Sequence, residues 1–401
     1  MTRMKQFRNV TSIAGQYSVV AACFAIPLST SAMGLFAGLA LIFWLLSGCI
    51  TTLPRDLIRN PVILTATALF FLLAVSTLYS SASLSTSLDA LMKYRELLYL
   101  PVVFALLNQQ SRYAILAKNA FIAGCIILLF ISYGMYLSLI PTHKFGYSLL
   151  FHITHSFFMA ILGFFALHNA FDSKRYRIVW LIVFALTAFN IIQVAPGRTG
   201  MVTFIALTFL TFVQRISSHH LVLATLATLV FFSTAFLYSD NFSSRTQIAV
   251  AEIQNYTPQK SRTSIGQRFD WWFNSLEMIK TSPLFGHGVG SFAVEQAKLI
   301  KGKRTTPTEN PHNEYLLLGS QIGTVGVALY IMLLSSLLYG ARNLPARQKY
   351  LLQGVVLAMA IGCLMNSFLY DSHQGHFFAL LSGLFLAQTS SKVPIENTHH
   401  P

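Results

Sequence analysis

The stretch PHNEYLLLGSQIG, residues 311–323, marks the point where a long polar segment meets an apolar helix. It places His312, Asn313 and Glu314 at the start of an apolar run over about residues 314–339. That run is long enough to cross a bilayer. Ionisable side chains are costly to keep at the edge of a membrane span, so they indicate a functional site by default. The sequence therefore predicts a membrane-embedded helix with a functional cluster at its entrance.

The composition of the whole chain is that of a membrane protein. Of its 401 residues, 54% are hydrophobic and 10% are charged, whereas soluble proteins carry about 25% charged residues. Apolar windows of about 20 residues predict an all-α membrane protein with about twelve transmembrane helices. The windows lie near residues 15–32, 34–50, 61–79, 95–108, 114–138, 149–171, 177–194, 199–213, 220–238, 314–339, 350–369 and 375–388.

The distribution of charge predicts an orientation in the membrane. The formal net charge is +15, and every predicted cytoplasmic connection holds a basic residue, which favours a topology with both termini in the cytoplasm. Because the basic residues flank apolar segments, lipid headgroups explain them better than nucleic acid does. The first apolar run lacks a persuasive cleavage site and is interpreted as a retained span. All four cysteines fall in apolar stretches, which argues against a disulfide framework.

The chain divides into four predicted regions. They are an N-terminal transmembrane region of about nine helices (1–238), a periplasmic loop (239–313), a C-terminal transmembrane region of about three helices (314–388) and a cytoplasmic tail (389–401). The second half of the loop predicts an amphipathic helix from about Ser264 to Lys280, with Ser264 as its N-cap, followed by a glycine-rich bend. Its aromatic residues suit a helix lying in the membrane interface.

Two isolated arginines are candidates for binding an anionic group. Arg198, in APGRTGM, is flanked by a proline and glycines. The proline and glycine before it break the preceding helix, and the glycine after it leaves the next helix without a side chain at that position. Arg268, in IGQRFDWW, falls in the first turn of the predicted interfacial helix, and helix N-termini also attract anions. Guanidinium groups bind phosphate oxygens bidentately. The alternatives are an Arg198 that snorkels at the interface and an Arg268 that pairs with Asp270 or stacks on Trp271.

His312 is the candidate general base, because an unperturbed histidine pKa near 6.5 suits proton transfer at neutral pH. The alternative is a helix-capping segment whose histidine faces lipid headgroups. Weaker candidates for substrate contact are Lys93, Arg95, Asn313, Glu314, Asp371, His373 and His376.

A metal site built from Asp371, His373 and His376 is a less favoured alternative to substrate contact. No metal is therefore expected. The sequence contains no P-loop, GxGxxG, paired-acid or GxSxG motif, so nucleotide-sugar chemistry and serine hydrolysis have no support.

Three segments, taken in order, resemble the O-antigen ligase and polymerase superfamily. They are GRTG (197–200), GQRFDWWFNSLEMIKTSPLFGHGVGSF (266–292) and PHNEYLLLGSQIGTVGVALY (311–330). Each segment alone is a weak signal, whereas the combination is specific. The motif similarity covers about residues 195–330, and the similarity in topology covers nearly the whole chain.

This resemblance implies a GT-C type glycosyltransferase in the bacterial inner membrane, with its active site facing the periplasm. The implied donor is a glycan on undecaprenyl pyrophosphate. The acceptor is lipid A–core in the ligases and another lipid-linked repeat unit in the polymerases. By resemblance, Arg198 and Arg268 bind the donor pyrophosphate, and His312 activates the acceptor hydroxyl.

The expected reaction is a direct displacement that inverts the anomeric carbon and needs no metal or other cofactor. An O-antigen ligase is the preferred interpretation. The alternatives are an O-antigen polymerase, a protein-glycosylating ligase and, from a different class, a small-anion transporter, which would place its charges near the bilayer midplane.

Overall fold

A computed structural model of the chain describes residues 3–108, 110–217, 220, 222, 225–226, 237, 240–258 and 262–388. These residues form helices and connecting loops, with no β-strand among them, which confirms the predicted all-α class. The helices before residue 220 are α1 (Arg3–Ala25), α2 (Thr30–Leu46), α3 (Leu53–Arg59), α4 (Pro61–Ser76), α5 (Leu84–Met92), α6 (Glu96–Leu107), α7 (Ser111–Tyr136), α8 (His152–Asp172), α9 (Arg177–Phe189) and α10 (Arg198–Arg215). The later helices are α11 (Asp240–Gln254), α12 (Ser264–Thr281), α13 (Phe292–Leu299), α14 (Glu314–Ala341), α15 (Ala346–Met365) and α16 (Ser372–Leu386).

Five helices of the described residues are long and apolar enough to cross a membrane. They are α7, α8, α14, α15 and α9 together with the π-helical turn that extends it to Val194. A sixth span would result if α2 and the segment Cys49–Arg59, which meet at 76°, are one bent unit. Membrane character is thus supported, whereas the count of twelve spans remains a prediction.

Each predicted span outside residues 220–238 corresponds to a helix, but some of these helices are short. The predicted span 95–108 is the 12-residue helix α6. At 1.5 Å per residue it is about 18 Å long, less than the roughly 30 Å of a bilayer core. Most of its residues are buried by other helices. The predicted span 220–238 lies largely outside the described residues, and the predicted tail 389–401 lies entirely outside them.

Two almost fully buried helices, α8 and α16, form the centre of the bundle. Their facing surfaces carry phenylalanines, and the rings of Phe157 and Phe158 lie 5.5 and 6.0 Å from that of Phe377. Phe121 of α7 completes the cluster at 5.4 Å from Phe377. Aromatic pairs at these separations stabilise a core beyond the area that they bury, so α8 and α16 provide a rigid base for the loops at their ends.

Glycine allows α10 to cross close to α8. A Cβ atom at Gly200 would lie 2.3 Å from the Cβ of Ser156, and one at Gly197 would lie 2.2 Å from the Ser156 hydroxyl. Small residues at such crossings let helix backbones approach in membrane proteins. Arg198, the first residue of α10, is therefore fixed relative to α8 by the two glycines on either side of it.

The glycine-rich bend after α12 fills a break in α14. Backbone geometry is non-helical at Ile322 and Gly323, which leaves nearby backbone groups without helical partners. The bend supplies partners, because Gly288 N donates to Gln321 O at 2.7 Å and Thr324 N donates to Pro283 O at 2.8 Å. Irregular backbone at membrane depth is tolerated where protein satisfies its polar groups. The loop is thereby anchored to the helix that follows His312.

Candidate functional site

Arg198 begins α10 directly after the extended residue Gly197. Its Nη1 lies 3.5 Å from Glu252 Oε2, and about 35% of its side chain is exposed. Glu252 belongs to α11, and the same carboxylate oxygen accepts a hydrogen bond from Ile265 N at 3.0 Å. Glu252 therefore joins the start of α10 to the start of α12.

Arg268 lies near the start of α12. The N-cap is Thr263, whose side chain accepts from Gly266 N at 3.2 Å, so the prediction of Ser264 as the N-cap was wrong by one residue. Both residues are good caps, and adjacent candidates cannot be separated by residue type alone. Burial and the positive charge of Arg198 lower the pKa of Arg268, while Glu252 opposes the effect. Two guanidinium groups are thus influenced by one carboxylate, which contacts Arg198 alone, and this arrangement favours a bound anion.

His312 has a backbone conformation that is rare for a residue with a side chain. Its φ is 53°, in the left-handed region, and such strain persists only where the surroundings enforce it. Its N–H donates to Asn310 Oδ1 at 2.6 Å, and Trp272 Nε1 donates to Pro311 O at 3.0 Å. The Trp271 ring lies 5.2 Å from the imidazole. Both tryptophans belong to α12, so the helix that carries Arg268 also fixes His312.

A hydrogen-bonded chain fixes the protonation of the His312 ring. Asn366 Nδ2 donates to Asp371 Oδ2 at 3.1 Å, so the amide oxygen of Asn366 faces His312 Nδ1 at 2.7 Å. An amide oxygen only accepts, so Nδ1 carries the proton and Nε2 keeps its lone pair. Nε2 is therefore the atom able to take a proton from a substrate.

The electrostatics of this hydrogen-bonded chain favour a neutral imidazole at His312. Burial, assisted by the charge of Arg268, lowers the pKa of His312, while the bond to Asn366 acts in the opposite direction. Burial raises the pKa of Asp371 to about 6, opposed by Lys93, so this carboxyl is mostly ionised at pH 7 and accepts the Asn366 hydrogen bond. A neutral histidine whose Nδ1 partner is held by an ionised carboxyl is suited to general-base work.

Asn313 and Glu314 have structural partners. Asn313 is the N-cap of α14: its Oδ1 accepts from Leu316 N, and its Nδ2 donates to Leu364 O. The helix therefore begins at Glu314. Glu314 is fully buried and accepts from Tyr94 Oη at 3.1 Å and from Leu369 N at 2.9 Å. These contacts hold the loop before α16 beside His312. A direct role of Asn313 and Glu314 in substrate contact remains a prediction.

Two cavities adjoin Asp371 and its neighbours. A cavity of about 320 Å³ is lined by Lys93, Arg95, Glu309, Asp371 and others, and one of about 440 Å³ by Lys93, Glu309 and the more distant Asp89. The Lys93 ammonium lies 4.3 Å from the centre of the Tyr370 ring, whose residue lines both cavities. Carboxylates, an amine and an aromatic ring are groups that bind sugar hydroxyls and ring faces.

The two histidines of α16 point to other partners. His373 Nδ1 lies 2.7 Å from Ile26 O, and the buried His376 Nδ1 lies 3.2 Å from Glu96 Oε1. In the part of the chain that the structure describes, no group of three His, Cys, Asp or Glu side chains has the geometry of a metal site. The alternative of a metal held by Asp371, His373 and His376 therefore has no geometric support.

Residues 182–331 match the family model described as O-antigen ligase. The predicted resemblance to the O-antigen ligase family is confirmed. The matched segment contains Arg198, Arg268 and His312, whereas Asn366 and Asp371 lie beyond it. The matched family is one of membrane glycosyltransferase-like enzymes.

An uncharacterized protein of Haemophilus influenzae is 28% identical to the chain over 206 residues. The matched region covers 49% of this chain and 47% of the relative. The chain therefore matches about half the length of that protein, and the relative adds no activity to the family assignment.

Sequence reasoning missed Glu252, Asn366 and Glu309. Glu252 lies in a polar helix with no feature that separates it from other surface carboxylates. Asn366 follows the last residue of an apolar helix. A polar residue at the end of such a helix is a weak signal in the sequence for a functional residue. Its partner His312 is 54 residues away in sequence, so only the fold joins them.

Proposed function

We propose that this protein is an O-antigen ligase that transfers a glycan from undecaprenyl pyrophosphate to lipid A–core on the periplasmic face of the inner membrane. The observation that carries the proposal is the neighbourhood of three groups. The positive charge of Arg198 contributes to lowering the pKa of Arg268, and the charge of Arg268 contributes to lowering the pKa of His312. Anion-binding groups and a base are therefore within electrostatic reach of each other.

The arginines bind and activate the donor. A pyrophosphate leaving group gains negative charge as the glycosidic bond breaks, and preorganised cations stabilise that growing charge. Glu252 holds Arg198 in place. Arg198 and Arg268 carry two positive charges beside the single carboxylate of Glu252. The donor pyrophosphate supplies the additional anionic partner. No metal ion is needed for this neutralisation.

His312 activates the acceptor. Its Nε2 takes the proton of an acceptor sugar hydroxyl while the hydroxyl oxygen forms a bond to the anomeric carbon. The bond from that carbon to the pyrophosphate oxygen breaks, and its electron pair leaves with the pyrophosphate. A single displacement of this kind inverts the anomeric centre. The acceptor sugar occupies the cavities lined by Lys93, Glu309, Tyr370 and Asp371.

Other interpretations of the same site predict different products. A polymerase would use the same donor arginines with a lipid-linked glycan as acceptor. A small-anion transporter would need its charges at the bilayer midplane, whereas Arg198 and His312 lie at helix starts or in the loops before them.

The deciding experiment is deletion of the gene in its source bacterium, with complementation by wild type and by His312→Ala. Lipopolysaccharide and lipid-linked glycans are then separated on gels. For a ligase, the deletion and the variant leave long glycans on undecaprenyl pyrophosphate and a bare lipid A–core. Lipid A–core carrying single repeat units would identify a polymerase instead, and unchanged profiles would refute both.

A further inference from the structure

A second charged cavity, of about 430 Å³, lies between α7, α8, α9 and α15. It is formed where α8 ends, at Asp172, and where α15 begins, at Arg347. The opposite ends of these helices border the candidate site, through His152 beside Gly197 and through Asn366 beside His312. Since α8 has 21 residues, the two sites lie about 30 Å apart, and the proposed reaction does not use this cavity.

Positive charge dominates the polar end of the cavity. Asp172 pairs with Arg215 at 2.9 Å and with Arg347 at 3.0 Å, and Arg347 also donates to Asn169 Oδ1 at 2.6 Å. Lys118 lines the same space, and within the described residues no carboxylate lies within 4.0 Å of its ammonium. Two cations, Lys118 and Arg347, thus line the cavity with one carboxylate, which also pairs with Arg215. The resulting surplus of positive charge attracts an anion.

The remaining wall of the cavity is apolar. Ile122 and Ile126 follow Lys118 at intervals of four residues, so all three lie on one face of α7. Ala123 and Trp180 complete this wall. Indole rings favour the boundary between headgroups and acyl chains. The lining of the cavity therefore changes from cationic to apolar along one face of α7. This order matches an amphiphile that has an anionic headgroup and an apolar chain.

We propose that this cavity binds one anionic phospholipid. Its phosphodiester contacts Lys118 and Arg347, and the start of an acyl chain lies along Ile122, Ile126 and Trp180. Basic pockets between membrane helices are suited to acidic headgroups. A free phosphate ion would use the same cations but would leave the apolar wall unused, which favours a lipid as the source of the phosphate group.

Native mass spectrometry of the purified full chain in detergent tests this assignment. The protein is titrated with phosphatidylglycerol and, separately, with the net-neutral phosphatidylethanolamine. We expect one phosphatidylglycerol to be retained preferentially. Lys118→Gln should weaken that retention about fivefold, the effect of one basic residue near an anionic lipid surface. Equal retention of the two lipids, or unchanged retention by Lys118→Gln, would overturn the proposal.

Two further variants complete the test: one is a control, and the other distinguishes a bound lipid from a free phosphate ion. Arg112→Gln removes a basic residue from the same helix that does not line the cavity and should leave retention unchanged. Ala123→Trp fills the apolar wall, so it should abolish lipid retention while the melting temperature stays close to that of wild type. If Ala123→Trp retains the lipid, the lipid binds outside this cavity and the proposal fails. If excess inorganic phosphate displaces the lipid completely, the cavity selects a phosphate ion and not a lipid. None of these readouts depends on transferase activity.

Discussion

Asn366 accepts a hydrogen bond from the Nδ1–H of His312 across 2.7 Å. The contact is made because Asp371 binds the amide nitrogen of Asn366 from the other side. The imidazole therefore has one fixed tautomer, and its free nitrogen is Nε2. Together with the positive φ of His312, this means that both the ring and the backbone of the histidine are held in place before any substrate binds.

The first prediction concerns pH. Burial and Arg268 lower the pKa of His312 below its ordinary value, so the neutral base predominates at pH 7. Protonation abolishes its function only as the pH falls through the lowered pKa. The rate of transfer should therefore be level near pH 7 and fall on an acid limb centred below 6.5, the ordinary histidine value. A limb centred well above that value would contradict the assignment.

His312→Ala tests the same assignment as the pH profile: it should leave donor binding intact while transfer falls by about 10²–10⁴-fold, the usual contribution of general-base catalysis. The two quantities are measured separately, as retention of lipid-linked glycan by the purified variant and as product formed per minute. Parallel loss of donor binding and turnover would make His312 a binding residue.

The second prediction concerns Asn366 as a positioning residue. Its bond to Nδ1 raises the pKa of His312, so Asn366→Ala should lower that pKa and move the acid limb to lower pH. Loss of the fixed tautomer should also reduce kcat by about 10–100-fold, as when the partner of a functional histidine is removed. Ser367→Ala is the matched control, because that hydroxyl bonds to Asn310 and not to the imidazole. A purely structural defect would reduce activity without moving the limb.

The sequence was sufficient for what depends on local pattern. Apolar length located the helices outside residues 220–238, and the proline and glycine before Arg198 marked the break at which α10 begins. The ionisable cluster at residues 312–314 indicated the candidate site, whose role remains a prediction. These features are local because a span must satisfy its own backbone and exclude charge within one segment.

What the sequence did not contain was the pairing of distant segments. Glu314 belongs to the ionisable cluster at residues 312–314, yet its hydrogen-bond partner Tyr94 is 220 residues away in sequence. Because this hydrogen bond is buried, Glu314 acts as a structural anchor. Likewise α6 has the composition of a span, but most of its 12 residues are buried by other helices. Hydropathy reports that a segment avoids water and does not distinguish lipid from protein as its surroundings.

The third prediction concerns the crossing of α8 and α10. Gly200→Ala would place a methyl group 2.3 Å from the Cβ of Ser156, so the helices must separate. Overpacking of this kind costs about 1–3 kcal/mol, and it should displace Arg198 as well. We expect a lower melting temperature together with weaker donor binding. Gly38→Ala is the control, because its added Cβ meets nothing within 4 Å. Equal behaviour of the two variants would show that the close crossing is unimportant.

The fourth prediction concerns orientation. The charge bias of the connecting loops places residues 239–313 on the periplasmic side. Alkaline phosphatase, which is active only after export, should be active when fused after Gly302 and inactive when fused after Lys174. Both positions are exposed in connecting segments, so neither fusion should disturb a helix. The reverse pattern would place Arg198, Arg268 and His312 beside the cytoplasm and rule out a periplasmic reaction.

The last prediction concerns how the pyrophosphate charge is neutralised. Lysine keeps the charge of arginine but loses the planar fork that binds two phosphate oxygens at once. Arg198→Lys and Arg268→Lys should therefore be strongly impaired, and the corresponding alanine variants should be near inactive. Arg304→Lys, at an exposed position of the same loop, should match wild type. If these side chains neutralise the leaving group, purified enzyme keeps its full rate in EDTA. Activity that is lost with chelator and restored by a divalent ion would show that a metal carries this role, leaving the arginines to position the donor.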